Sequence, residues 1–179
     1  MITSRSVKTC ASRTVSCSKP FSKQISARGR YAITDLVVDM DSPKYASVDT
    51  IQTFVQELQP ISFSYTNMRK LSIKAPYAIM DASIMKSIMK LEAPFDSVEL
   101  EFFAFVGPQN DQWLRVKPLK EVSLTINDGV GHRNSLNDAL AGLCHHHPNL
   151  KTLKIKNKTP HFVDVNRSLF PQKTVFIFC

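Results

Sequence analysis

Residues 68–73 read Met-Arg-Lys-Leu-Ser-Ile, with apolar side chains at the first, fourth and sixth places. On a strand, side chains alternate between the two faces, so Leu71 and Ile73 point the same way. The same spacing recurs at Ile33–Leu36–Val38, Phe95–Val98–Leu100, Leu119–Val122–Leu124 and Leu150–Leu153–Ile155, and more weakly at Gln172–Val175–Ile177. Successive starts are 35, 27, 24, 31 and 22 residues apart. Those steps straddle the roughly 20–29 residues of leucine-rich repeats. A single short strand cannot bury its apolar face alone. Stacked in parallel, with a return segment between each pair, such strands build one continuous core.

The return segments carry helix signals. Ser47 can cap a helix running to about Leu58, with Val48, Ile51, Phe54, Val55 and Leu58 along one side. Asp81 can cap a second, carrying Ile84, Met85, Ile88 and Leu91 and followed by Pro94. Ser135 and Asp138 form a capping signature for a third, lined by Leu136, Ala139, Leu140 and Leu143. Between Val106 and Pro118 the chain is too broken for a helix and is expected to be a loop or single turn, with Trp113 and Leu114 over the core. Strand and helix signals alternate as a βα array requires. The expected fold is α/β: an irregular leucine-rich-repeat-like solenoid over residues 31–179, with a parallel sheet and helices or loops on its convex side.

Residues 136–155, LNDALAGLCHHHPNLKTLKI, resemble the helix-to-strand junction of F-box-type leucine-rich repeats. In that family the helix ends in a Cys/His–Pro–Asn–Leu element and the next strand begins on the Leu. TNMRKLSIKAP (66–76) and RYAITDLVVDMDSP (30–43) are similar at their strand positions. The family's Asn after the strand is matched by Asn127, whereas Asp41, Pro76, Phe103 and Lys158 stand at that place elsewhere. The resemblance covers about residues 31–179 and implies a non-catalytic, substrate-recognition-like domain that binds a protein. Residues 1–30 contain no Leu and no helical apolar pattern, so the likeness is to the recognition half of that family, without its F-box.

The net charge is +8, but residues 1–30 supply +7 of it with no Asp or Glu, leaving +1 for the rest. A nucleic-acid domain carries its excess on a folded face. Here it sits in a Ser-rich arm, so sequence-specific nucleic-acid binding is not expected. The arm has the composition of a mitochondrial or plastid transit peptide. Set against that is a solvated basic arm or a decayed first repeat. A cytoplasmic protein follows from the second view, a mitochondrial assembly factor from the first. No apolar run approaches the roughly 20 residues of a membrane span. Cys10, Cys17, Cys144 and Cys179 show no framework spacing and are expected as free thiols in a reducing compartment, with a Cys10–Cys17 pair as the open alternative.

Reactive-site signatures are missing. His145, His146 and His147 beside Cys144 suggest a metal site, but consecutive helical residues point about 100° apart and do not converge on one ion. Histidines in a last helical turn instead meet its free carbonyls. Asp128-Gly-Val-Gly-His132 lacks the third glycine of a dinucleotide loop and the Lys of a P-loop. No catalytic residue, metal site or cofactor is therefore expected.

Alternation also specifies the opposite, binding face. With positions 3 and 5 inward, positions 2, 4 and 6 face outward. They place Asp35 and Asp39 on one strand, Lys70, Ser72 and Lys74 on the next, then Glu99 and Glu101, then Glu121, Ser123 and Thr125, then Lys154 and Lys156. Phe176 and Phe178 complete the expected face on the last strand. Its charge runs acid, base, acid, acid, base, a pattern that serves either cross-strand pairing or recognition of a protein partner.

Overall fold

Among the described residues, seven strands lie side by side in the order in which the chain makes them, every neighbouring pair parallel. The structure, a computed structural model, describes residues 12–16, 25–45, 48–105, 118–127, 149–157 and 175–178. The strands are β1 (Ser12–Ser16), β2 (Asp35–Asp39), β3 (Lys70–Met80), β4 (Ser97–Phe105), β5 (Glu121–Ile126), β6 (Thr152–Asn157) and β7 (Val175–Phe178). Helices α1 (Ala27–Arg30), α2 (Val48–Leu58) and α3 (Ala82–Met89) fall between them, with 3-10 turns at Pro43–Tyr45 and Gln59–Ser64. The architecture is α/β with one parallel sheet.

The register converts the sequence pattern into columns. Leu36, Leu71, Val98, Val122 and Leu153 are successive partners, and so are Val38, Ile73, Leu100, Leu124 and Ile155. All ten are buried, as are Ile33, Met68, Phe95, Leu119 and Leu150 at the start of each unit. They share one core with Ile51, Phe54, Val55 and Leu58 of α2 and Ile84, Ile88 and Met89 of α3. Burial of each such side chain contributes about 1.5–3 kcal/mol, so the columns are the dominant stabilising element.

One backbone device recurs at four junctions. The carbonyl of Thr34 accepts from the amides of both Arg69 and Lys70, at 2.7 and 3.1 Å. Arg69 does the same for Asp96 and Ser97, Asp96 for Lys120 and Glu121, and Lys120 for Lys151 and Thr152. Donors and acceptors occupy equivalent places in these four junctions. The repetition in the sequence is thus a repetition of backbone geometry.

The expected helices at 48–58 and 81–91 are present. Asp81 caps α3 by accepting from the amide of Ile84 at 3.0 Å, while α3 ends at Met89 and leaves Leu91 beyond it. Pro60 stops α2, because it has no amide hydrogen to give and its ring crowds the preceding turn. The chain then tightens into a 3-10 turn, where fully buried Ser62 donates to the Gln59 carbonyl and accepts from the Glu92 amide at 2.9 Å. The Ser47 cap, the helix expected after Ser135, the Trp113 loop, the histidine cluster, the Asp128–His132 turn and all four cysteines lie outside the described residues.

Three features differ from expectation. The basic arm, placed outside the repeat domain at 1–30, supplies β1, which pairs with β2 and buries Val15 to 1% exposure. A single apolar residue among Ser, Arg and Thr gives no period to recognise. β3 runs on to Met80 instead of ending near Pro76. Proline cannot donate to the ladder, and the β3–β4 register shifts between Ala75 and Ile79 around it. In β7 the register is one residue off: Phe176 pairs with Leu153 and Phe178 with Ile155, where Val175 and Ile177 were expected. Val175 and Ile177 take the places beside Thr152 and Lys154. All four residues of β7 are apolar, so alternation does not select a register there.

Candidate interaction face

The other face residues lie beside one another in register across β2 to β6. Asp35, Lys70, Ser97, Glu121 and Thr152 form one outward row. Val37, Ser72, Glu99, Ser123 and Lys154 form the second, and Asp39, Lys74, Glu101, Thr125 and Lys156 the third. Two members offer little surface. Ser72 is 3% exposed and Thr125 7% exposed, so they form the floor of the face between longer neighbours.

The charges pair diagonally. Lys70 Nζ lies 2.5 Å from Glu99 Oε2, and Ser72 donates to the same oxygen at 3.2 Å. The bond from Lys70 holds the Glu99 carboxyl below its usual pKa against the opposing effect of partial burial, with Ser72 and the nearby charge of Lys74 assisting. Both partners of this ion pair are about one-third exposed. Such a pair is worth about 0.2–1 kcal/mol after solvent screening. Farther along, Ser97 donates to Glu121 Oε2 at 3.4 Å. Below the face, Lys120 reaches Asp96 at 2.5 Å. Asp39 turns back to accept from the Asp41 amide at 3.0 Å, and Asp35 accepts from Thr34 at 2.8 Å.

Two functional details were not read from the sequence. Phe103 continues the alternation beyond Glu101 and is 41% exposed, giving the face an aromatic end. Tyr77 and Ile79 are also exposed where β3 and β4 outrun their neighbours. The signal for Phe103 was available, because it stands two residues beyond Glu101 in an unbroken strand. Asn127, the residue matching the Asn of the resembled family, donates its side-chain amide to the carbonyl of Pro76 at 3.1 Å and its backbone amide to Phe102. It thus ties the end of β5 to β3 and β4.

Among the described residues no three His, Cys, Asp or Glu side chains are placed to hold a metal ion. Nor is any described helix long and apolar enough to cross a membrane. No protein-family model matches this chain, and no curated protein matches it. The geometry of the face is therefore what any functional reading rests on.

Proposed function

We propose that the chain is a non-catalytic protein-interaction domain, a leucine-rich-repeat-like solenoid whose outward sheet face is its recognition surface. The observation that carries this reading is the equivalence of four successive junctions, each using one carbonyl to accept two amides of the next unit. Repeats joined in that way form a continuous surface whose outward side chains vary without disturbing the core. The face offers many polar groups spread over a wide area rather than convergent groups in a cleft, which favours binding over catalysis. The likeness of residues 136–155 to F-box-type repeats adds a substrate-recognition role to the same reading. Placement in the cytoplasm belongs to this proposal, and a mitochondrial assembly factor with a removed arm is its rival. Pairing of β1 with β2 favours an arm that is retained.

The test compares partner capture by two variants that each add one bulky side chain. Ser123→Trp places it in the centre of the face, and Gln56→Trp on the exposed side of α2. Loss of captured partners in the first alone is expected. Equal capture by both variants refutes the face as the docking surface.

A further inference from the structure

Resting on that reading, we infer that the face takes an acidic polypeptide segment, its carboxylates at Lys154 and Lys156 and an apolar side chain at Phe103. Charge is matched in register on β3 and unmatched on β6. Lys74 stands between Asp39 and Glu101 in register, and Lys70 stands beside Asp35 and bonds Glu99. On β6 the neighbours differ. Lys154 stands between Ser123 and Ile177, and Lys156 beside Thr125. Neither lysine has a carboxylate beside it in register, both are exposed, and neither makes an ion pair among the described residues.

Two acids of β4 and β5 are engaged on the side away from β6. Glu99 reaches back to Lys70 and Ser72 on β3, and Glu121 reaches back to Ser97 on β4. With those two acids engaged on β3 and β4, Lys154 and Lys156 present their positive charge on β6. An acidic partner supplies the missing counter-charge.

A polypeptide fits better than a polyphosphate chain. Asp35, Asp39, Glu99, Glu101 and Glu121 share the face, and a nucleic-acid backbone crossing it meets repulsion over most of its path. A short segment with its acids confined to one end avoids them. Phe103 lies two strands and about two residues from Lys156, or roughly 12 Å at about 4.8 Å per strand and 3.3 Å per residue. About four residues of extended peptide cover that distance.

The experiment selects a displayed library of random dodecapeptides against the full chain and measures enriched, fluorescein-labelled peptides by anisotropy. Enriched sequences carrying two or more Asp or Glu about four residues from an aromatic or aliphatic residue are expected. Their affinity should fall at least tenfold in Lys154→Glu/Lys156→Glu and several-fold in Phe103→Ser, while Lys86→Glu on α3 leaves it unchanged. Circular dichroism and thermal melting establish that each variant is folded. Failure to enrich acidic sequences, or binding indifferent to the Lys154/Lys156 reversal, overturns the inference. So does a twelve-nucleotide single-stranded DNA that binds as tightly as the best peptide. Peptides without acids that are lost in Ser123→Trp would remove this inference and leave the interaction reading standing. Peptides insensitive to every substitution on the face would remove both.

Discussion

Substituting Val15 by Asn asks whether β1 belongs to the fold, and the structure fixes the size of the answer. Val15 is buried beside Val38 at the head of the second inward column, whereas Thr14, one residue earlier, is exposed on the opposite face. Losing the buried valine removes about 1.5 kcal/mol, the lower end of the range, because β1 has only β2 as its described neighbour and can relax. An amide placed there without a partner adds about 1–3 kcal/mol. Their sum is about 3 kcal/mol, roughly a hundredfold in the fraction of time that β1 is detached. Thr14→Asn makes an equally polar change on the outer side and should alter stability by less than about 0.5 kcal/mol. Hydrogen exchange read by mass spectrometry on a peptide spanning residues 12–16 separates the two. Protection should be lost in Val15→Asn and kept in Thr14→Asn. Equal protection in both variants, or full exchange of this peptide in the unaltered chain, would refute the placement of β1 and revive a removable arm.

Leu153→Ala, in the centre of the inward column on β6, should destabilise by about 2–5 kcal/mol in urea unfolding, because partners on both strands leave little room for collapse. A double-mutant cycle on Lys70→Ala and Glu99→Ala should yield a coupling of about 0.2–1 kcal/mol that shrinks between about 0.05 and 0.5 M salt, as expected for a partly exposed pair that added ions screen. The pH dependence follows from the depressed Glu99 pKa. The folded state holds the ionised form, so the stabilisation is complete above the ordinary glutamate pKa of about 4.3 and disappears as pH falls through the lower folded value. Relative to Glu99→Gln, the unaltered chain should therefore lose urea midpoint on acidification from pH 6 to pH 3; a constant difference would contradict the Lys70 and Ser72 contacts. Ser62→Ala should cost about 1–2 kcal/mol and exceed Ser64→Ala, since Ser62 joins two segments while Ser64 bonds only the Ile61 carbonyl within its own turn.

The inward columns were legible because β2 to β6 alternate apolar residues with polar ones, and a one-residue slip on any of them would expose the whole apolar set. Where that contrast is missing, reading fails for a physical reason. β7 reads Val-Phe-Ile-Phe, so alternation selects neither register, and Phe176 and Phe178 pair with Leu153 and Ile155. β1 has one apolar residue and therefore no period. β3 passes through Pro76 because the ladder yields at that point, and local rules about proline do not anticipate a partner strand that shifts with it. Membership of the outward face followed from alternation alone. Its electrostatics did not, since register places Asp35 beside Lys70 but the lysine bonds Glu99, one strand further on and two residues up.

That diagonal choice bears on function more than the order of charges along the chain. A face with acids and bases in neighbouring rows would cancel itself if every pair closed across the register, leaving nothing for a partner. Here Glu99 of β4 and Glu121 of β5 reach backward, toward strands of lower number. Those two acids are used by the strand before their own, and Lys154 and Lys156 on β6 have no carboxylate beside them in register. The backbone junctions explain how this is tolerated: cohesion resides in the inward columns and the shared carbonyls, so the outward rows are free to carry an imbalance. A surface whose charges were selected only to hold the sheet together has no reason to leave Lys154 and Lys156 beside serine, threonine and isoleucine. Placing Glu at Ser123 would supply the missing acid from within. It should strengthen the β5–β6 contact by about 0.2–1 kcal/mol while weakening capture of an acidic peptide, a reciprocal outcome that cross-strand pairing alone does not produce.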